Sequence, residues 1–207
     1  MKRLLFLAVL LLIVPVGMLA QQNSIRYQGD LGLQMGAAFL WNRVEISDYE
    51  TISGLNRCVP GAVITTTHGL LLNDAVTIAA GVGVGPACAI DPHTDPLQAK
   101  AWVVLSLFTH FDYAFLRGNP MRPFVAARLG YSYFGEKENM GGMPNAGVGA
   151  GIRLNDRWDF SIWYRLGFGG GKTYPNEARN ERYLVLNHTP FIGCAWRFPG
   201  YKKARNK

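Results

Sequence analysis

The sequence predicts an all-β protein, a closed antiparallel up-and-down transmembrane β-barrel of about eight strands preceded by a signal peptide. Three observations lead there. Apolar and polar residues alternate with period two through a series of roughly ten-residue segments, the length of a tilted membrane strand. Short turn-forming connections alternate with longer polar ones. An export signal opens the chain, yet no later apolar run approaches the ~20 residues of a spanning helix, so a membrane crossing has to be made by strands.

The signal comes first in the chain. Lys2 and Arg3 precede an apolar run from Leu4 to Val16, and Leu19-Ala20 then meets the polar pair Gln21-Gln22. A basic start, an apolar core of about 7–15 residues and a small residue at the cut define a secretory signal. Cleavage is expected after Ala20. That divides the chain into a signal peptide (1–20), a barrel (21–198) and a basic tail (199–207).

The strands follow in order. From Ile25 to Met35 the odd positions are Ile25, Tyr27, Gly29, Leu31, Leu33 and Met35, set against Arg26, Gln28, Asp30, Gly32 and Gln34. Ala62 to Leu72 is less regular. Ile78, Ala80, Val82 and Val84 then oppose Thr77, Gly81, Gly83 and Gly85, and Val103, Leu105 and Leu107 oppose Lys100, Ser106, His110 and Asp112. Val125, Ala127 and Leu129 oppose Arg128 and Gly130, and Val148 and Ile152 oppose Gly147, Gly149, Gly151 and Arg153. Trp158, Phe160 and Ile162 oppose Asp159, Ser161 and Arg165, and the last strand sets Ile192, Cys194, Trp196 and Phe198 against Gly193, Ala195 and Arg197.

The connections sort into two kinds. Leu72–Ala75, Arg117–Pro120 and Leu154–Arg157 are short turn-formers, whereas 40–60, 91–98, 135–143 and 170–183 are longer and polar. Short turns on one rim and long loops on the other suit an outer-membrane barrel with its loops outside the cell. A soluble barrel alternates too, so the facing matters. The polar face is dense in glycine, which gains nothing on a solvated exterior but leaves room for long arginines in a narrow lumen. Aromatics gather near the strand ends as two girdles: Tyr27, Phe111, Tyr113, Trp158 and Trp196 toward the turns, and Phe39, Trp41, Tyr133 and Phe168 toward the loops.

On these residues the mature chain resembles the small outer-membrane β-barrel proteins of Gram-negative bacteria, similar in architecture to OmpX, OmpW and the OmpA transmembrane domain. The stretch Thr67-His68-Gly69-Leu70-Leu71-Leu72-Asn73, running into Val82-Gly83-Val84-Gly85, is similar to a hairpin in that group. The ending Trp196-Arg197-Phe198 resembles the C-terminal signal read by the barrel-assembly machinery, although Pro199 to Lys207 follow it. The resemblance implies an outer-membrane location among lipid and lipopolysaccharide, and a monomer. Pro86 and Pro190 lack the N–H that a ladder needs and are expected near the outer rim, at bulges or strand ends.

Charge excludes one class of partner. Of the seven excess positive charges, Lys2 and Arg3 carry two and the tail Lys202, Lys203, Arg205 and Lys207 four, so the body is near +1 and no basic stripe invites nucleic acid. Gly167 to Thr173 approaches a phosphate-loop spacing but has Leu166 where glycine is required. Asp91, His93 and Asp95 could face a cation but are better explained as solvated loop residues, and no cofactor is expected. Numbering Ala62–Leu72 and Val76–Cys88 as a hairpin about Asn73-Asp74 sets Cys58 opposite Cys88, a candidate disulfide.

The lumen carries the chemistry. Arg26, Lys100, Arg128, Arg153, Arg165 and Arg197 share it with Asp30, Asp112 and Asp159. An eight-stranded barrel is just wide enough inside for side chains, and buried charges need partners, so these should form an ion network that plugs the barrel. The expected role is non-enzymatic: envelope support or surface binding through external loops. The alternatives are a channel for small solutes or hydrophobic ligands and a lipid-A-modifying enzyme, for which His93, His188, Ser47 and Ser53 are available.

Overall fold

A computed structural model describes residues 25–46, 50–91, 98–136, 139–173 and 181–198. Its elements are the strands β1 (Ile25–Ile46), β2 (Glu50–Leu72), β3 (Val76–Asp91), β4 (Gln98–Ala114), β5 (Met121–Glu136), β6 (Asn139–Leu154), β7 (Trp158–Thr173) and β8 (Glu181–Phe198). Each pairs antiparallel with its neighbour in sequence. β8 returns to pair with β1, from Gly29–Phe198 to Ile46–Glu181, and closes the barrel. Closure removes the exposed edges that an open sheet would leave in lipid.

The turns set the register. Asn73 and Asp74 both adopt positive φ, 51° and 56°, and the Ala75 N–H donates to the Leu72 carbonyl at 3.1 Å. Two successive left-handed residues make a type I′ turn, whose twist matches that of the strands it joins. Asn155-Asp156 repeats the device, with φ of 50° and 58° and the Arg157 N–H donating to the Leu154 carbonyl at 3.0 Å. One further residue separates each turn from the ladder, so Leu72 faces Val76 and not Ala75. That single residue decides the fate of the cysteines. Cys58 faces Ile90, and Cys58, Cys88 and Cys194 are all free thiols, so the bridge expected between Cys58 and Cys88 is not formed.

Strands run well past the membrane on the loop side. About 9–11 tilted residues cross a bilayer, whereas β1 and β2 have 22 and 23. Much of the sequence expected as long loop is therefore paired: β1 and β2 continue to Ile46–Glu50 across a register shift at Leu40/Trp41, and β5 and β6 meet at Glu136–Asn139. Above the lipid both faces meet water, so the apolar alternation that marks a strand in the sequence lapses while the backbone ladder goes on. The prolines lie within strands and do not end them. Pro86 faces Val103 where the β2–β3 ladder lapses between Gly61–Ala87 and Ile64–Val84. Pro190 faces Tyr164 where the β1–β8 ladder lapses between Gly36–Phe191 and Phe39–His188. Each missing N–H falls where one neighbouring strand asks for no bond.

Alternation then assigns two faces. Outward stand large apolar side chains all round the barrel: Ile162 is 67% exposed, Leu129 65% and Val82 49%. Inward stand charged and polar groups that are almost wholly covered, with Arg153 at 1% and Asp112 at 2%.

Candidate functional site

The lumen is built in tiers, each from one inward position of several strands. At the turn end lies an ion-paired layer. Arg153 of β6 donates from Nε to Asp159 Oδ1 at 2.8 Å and from Nη2 to Asp159 Oδ2 and Asp112 Oδ1, both at 3.0 Å. Arg197 of β8 donates to the same Asp159 at 3.3 Å and to the Thr77 hydroxyl at 3.1 Å. Two partners missed in the sequence complete the end: Asp74, which pairs with Arg26 at 3.3 Å, and Arg122, which pairs with Asp156 and donates to the Asp74 carbonyl at 2.8 Å. Strict parity along β5 would have found Arg122, since it shares the inward face with Arg128.

A second tier links this layer to the middle. Arg128 Nε donates to His110 Nδ1 at 3.0 Å, and His110 Nε2 lies 3.2 Å from Asp112 Oδ2. A guanidinium can only donate, so His110 Nδ1 must accept and its proton sits on Nε2, donating to the carboxylate. Asp30 accepts from the Thr67 hydroxyl.

The third tier was not foreseen. The lumen holds aromatic rings as well as charges, and its two central arginines rest on them. Arg128 stands 4.6 Å above Phe108 and 4.2 Å above Trp163, and Arg165 stands 5.7 Å above Phe191. Trp163 and Phe191 stack with ring centroids 5.9 Å apart and planes 3° from parallel. Three inward glycines make room for rings, where the sequence suggested room for arginines, and Gly147 lies against Arg165. A Cβ on Gly149 would run into the Trp163 ring, one on Gly81 would come within 2.6 Å of Phe108, and one on Gly151 within 2.7 Å of Phe124. Trp163 escapes notice in the sequence because it sits amid outward aromatics; its odd number, against the even Trp158 and Phe160, is the signal that places it inside.

Toward the loops the walls turn apolar, with Leu40, Val59, Ala87, Ala89 and Trp102 packed together and Phe134 stacked on Trp102 at 5.9 Å. Between this collar and the arginines lies a cavity of about 80 Å³. Lys100, expected in the ion network, is exposed at the loop-side end of β4 opposite Ala89, far up the strand from Asp112.

The remaining candidates lie elsewhere. Asp91 ends β3, while His93 and Asp95 fall outside the described residues, among which no cluster of three metal-ligating side chains occurs. Ser47 is also outside them, and Ser53 lies in β2. His188 faces outward, its Nδ1 2.5 Å from the Tyr164 hydroxyl, and Tyr27 bonds His68 in the same way. Trp196 and Phe198 pack edge to face at 4.5 Å on the outer side of β8. The segments 1–20 and 199–207 lie outside the described residues.

Leucine, isoleucine and valine face outward on every side while ion pairs and arginines fill the interior, the reverse of a water-soluble barrel. Tyr27, Trp158, Phe160 and Trp196 stand exposed at one end of this apolar band and Trp41, Tyr133 and Phe168 at the other. The chain is a transmembrane β-barrel of the outer-membrane type. No family model matches it, and no curated protein does. Among solved structures it is similar to Neisserial surface protein A (17% identity, TM-score 0.39, covering 81% of this chain and 97% of that one). It is also similar to the outer membrane protein OprG from Pseudomonas aeruginosa (12%, 0.46, 82% and 96%) and to the outer membrane protein AlkL (14%, 0.45, 90% and 97%).

Proposed function

We propose that this barrel is non-enzymatic and non-conducting, and that it acts as an envelope-supporting or surface-binding protein through the part of its wall that stands above the lipid. One observation carries the reading. Arg153, Asp159, Asp112 and Arg197 come from β6, β7, β4 and β8 and join across the turn end of the lumen, which supports a barrel closed to solute there. Opening a path there would break charged hydrogen bonds in a dry interior, where stranding one member of a pair costs several kcal/mol. The free energy for such a gate has no source in the ladder itself, which is continuous around this end.

Planar-bilayer recording tests this. The refolded barrel is expected to give no steady single-channel conductance, and Arg153→Ser is expected to introduce flickering openings by removing the central bridge. Steady ohmic conductance from the unaltered protein would end the reading. Orientation is tested separately, with a peptide tag inserted at Gly54 in the β1–β2 extension or at Asn119 in a short turn. On intact cells the Gly54 tag is expected to be labelled and the Asn119 tag to remain silent until the cells are permeabilised. The opposite pattern would put the extension in the periplasm and remove surface binding.

A further inference from the structure

We infer that the loop-side cavity of the lumen is a binding site for a small amphiphile with an anionic oxygen head, such as a short-chain carboxylate, its head on Arg165 and Arg128 and its chain toward the apolar collar. The inference goes beyond the non-conducting reading and does not depend on it, because the cavity lies above the closed layer.

Charge balance inside the barrel is the starting point. The turn-end arginines have carboxylates: Arg26 has Asp74, Arg122 has Asp156, and Arg153 and Arg197 share Asp159. Arg128 and Arg165 differ. Among the described residues no carboxylate stands within 4.0 Å of either; Asp30 is the strongest counter-charge acting on Arg128 from farther off, and none acts on Arg165. Arg128 is at least tethered, to His110 at 3.0 Å and between two rings. Arg165 has one long hydrogen bond, 3.4 Å to the Ser132 hydroxyl, and the face of Phe191. Both half-buried guanidinium groups line the same cavity against ring faces, and their N–H groups beyond those bonds to His110 and Ser132 can meet an oxyanion there.

The surroundings define the rest of the ligand. Asn145 and Ser132, bonded at 3.0 Å, and the paired Asn187 and Thr189 add neutral polar groups at the level of the arginines. Next to Arg165 stands Gly147 of β6, whose missing side chain leaves the approach clear. Above them the wall changes to Ala38, Leu40, Val59, Val104 and Phe134, with no charge among them. A hydrated inorganic anion would leave that apolar wall unused, and an uncharged alkane would leave the arginines bare. An amphiphile matches both ends, and the small volume limits it to a short chain.

The test uses the refolded full-length barrel in nanodiscs. Its readout is the indole N–H resonance of Trp163, which lines the cavity and donates to Ser161 at 2.9 Å. Hexanoate, hexanol, hexylammonium and acetate are titrated in turn. Hexanoate is expected to shift the resonance saturably, with hexanol and acetate at least tenfold weaker and hexylammonium without effect. Arg165→Gln, checked for folding by its heat-modifiable gel mobility, is expected to bring hexanoate down to the level of hexanol. Hexanol or hexylammonium binding as well as hexanoate would overturn the anionic head. Acetate binding as well as hexanoate would overturn the apolar half. An unchanged hexanoate affinity in folded Arg165→Gln would overturn the site, and the comparison of hexanoate with hexylammonium decides even if that variant does not fold.

Discussion

Replacing Arg153 with leucine is expected to lower the unfolding free energy of the reconstituted barrel by about 3–5 kcal/mol, the cost of stranding one side of a buried pair. Arg153 is the hub of the turn-end layer, and its loss leaves Asp112 without a guanidinium, on His110 and Thr77, and Asp159 with Arg197 at 3.3 Å. Against the ~5–15 kcal/mol of a typical domain, that is a large fraction. Urea unfolding in liposomes measures it. The double variant Arg153→Leu/Asp112→Asn should recover part of the loss, because the stranded carboxylate is then gone. Arg165→Leu serves as the contrast. The sequence suggested that it too would strand an aspartate, but its neighbours are Ser132 and Phe191. Its cost should be about 1–2 kcal/mol, well below that of Arg153→Leu, because no carboxylate is stranded and its bond to Ser132, from a charged donor, is long. Equal losses for Arg153→Leu and Arg165→Leu would mean that the tiers described here are not energetically distinct.

Val82→Arg is expected to cost about 2–4 kcal/mol, the penalty for an arginine on the lipid face near the midplane. Val82 is 49% exposed between Thr66 on β2 and Leu107 on β4, and no carboxylate stands on either to pair with a new charge. Val82→Leu should be nearly silent on the same assay, since lipid accommodates the extra methylene. Gly83, the next residue, faces the lumen and would answer to different rules. A protein that tolerates Val82→Arg, or stays dispersed without detergent, would have its faces the other way round.

Most of the fold was legible in the sequence because a membrane barrel is held to one simple rule. Where lipid covers one face and a narrow lumen the other, period two cannot lapse without burying a charge in hydrocarbon, so Ile78-Ala80-Val82-Val84 and Trp158-Phe160-Ile162 announce their strands unaided. The turns were legible too, since Asn-Asp pairs tolerate the left-handed backbone that a tight hairpin requires. The extended wall was not. Beyond the bilayer nothing penalises polar residues on either side, and 41–46 pairs with 50–55 without any periodic mark.

Strand count and facing can thus be read from the chain alone, because each depends on local alternation against two different solvents. Tertiary structure alone decided who meets whom. One extra residue after Asn73-Asp74 slid β2 along β3 and parted Cys58 from Cys88. The stagger of eight strands brought Arg153 to Asp112, 41 residues away in the chain, and set Arg128 and Arg165 over the stacked rings of Trp163 and Phe191. Such pairings depend on accumulated register around a closed ring, and a single-residue slip anywhere in it changes every partner beyond.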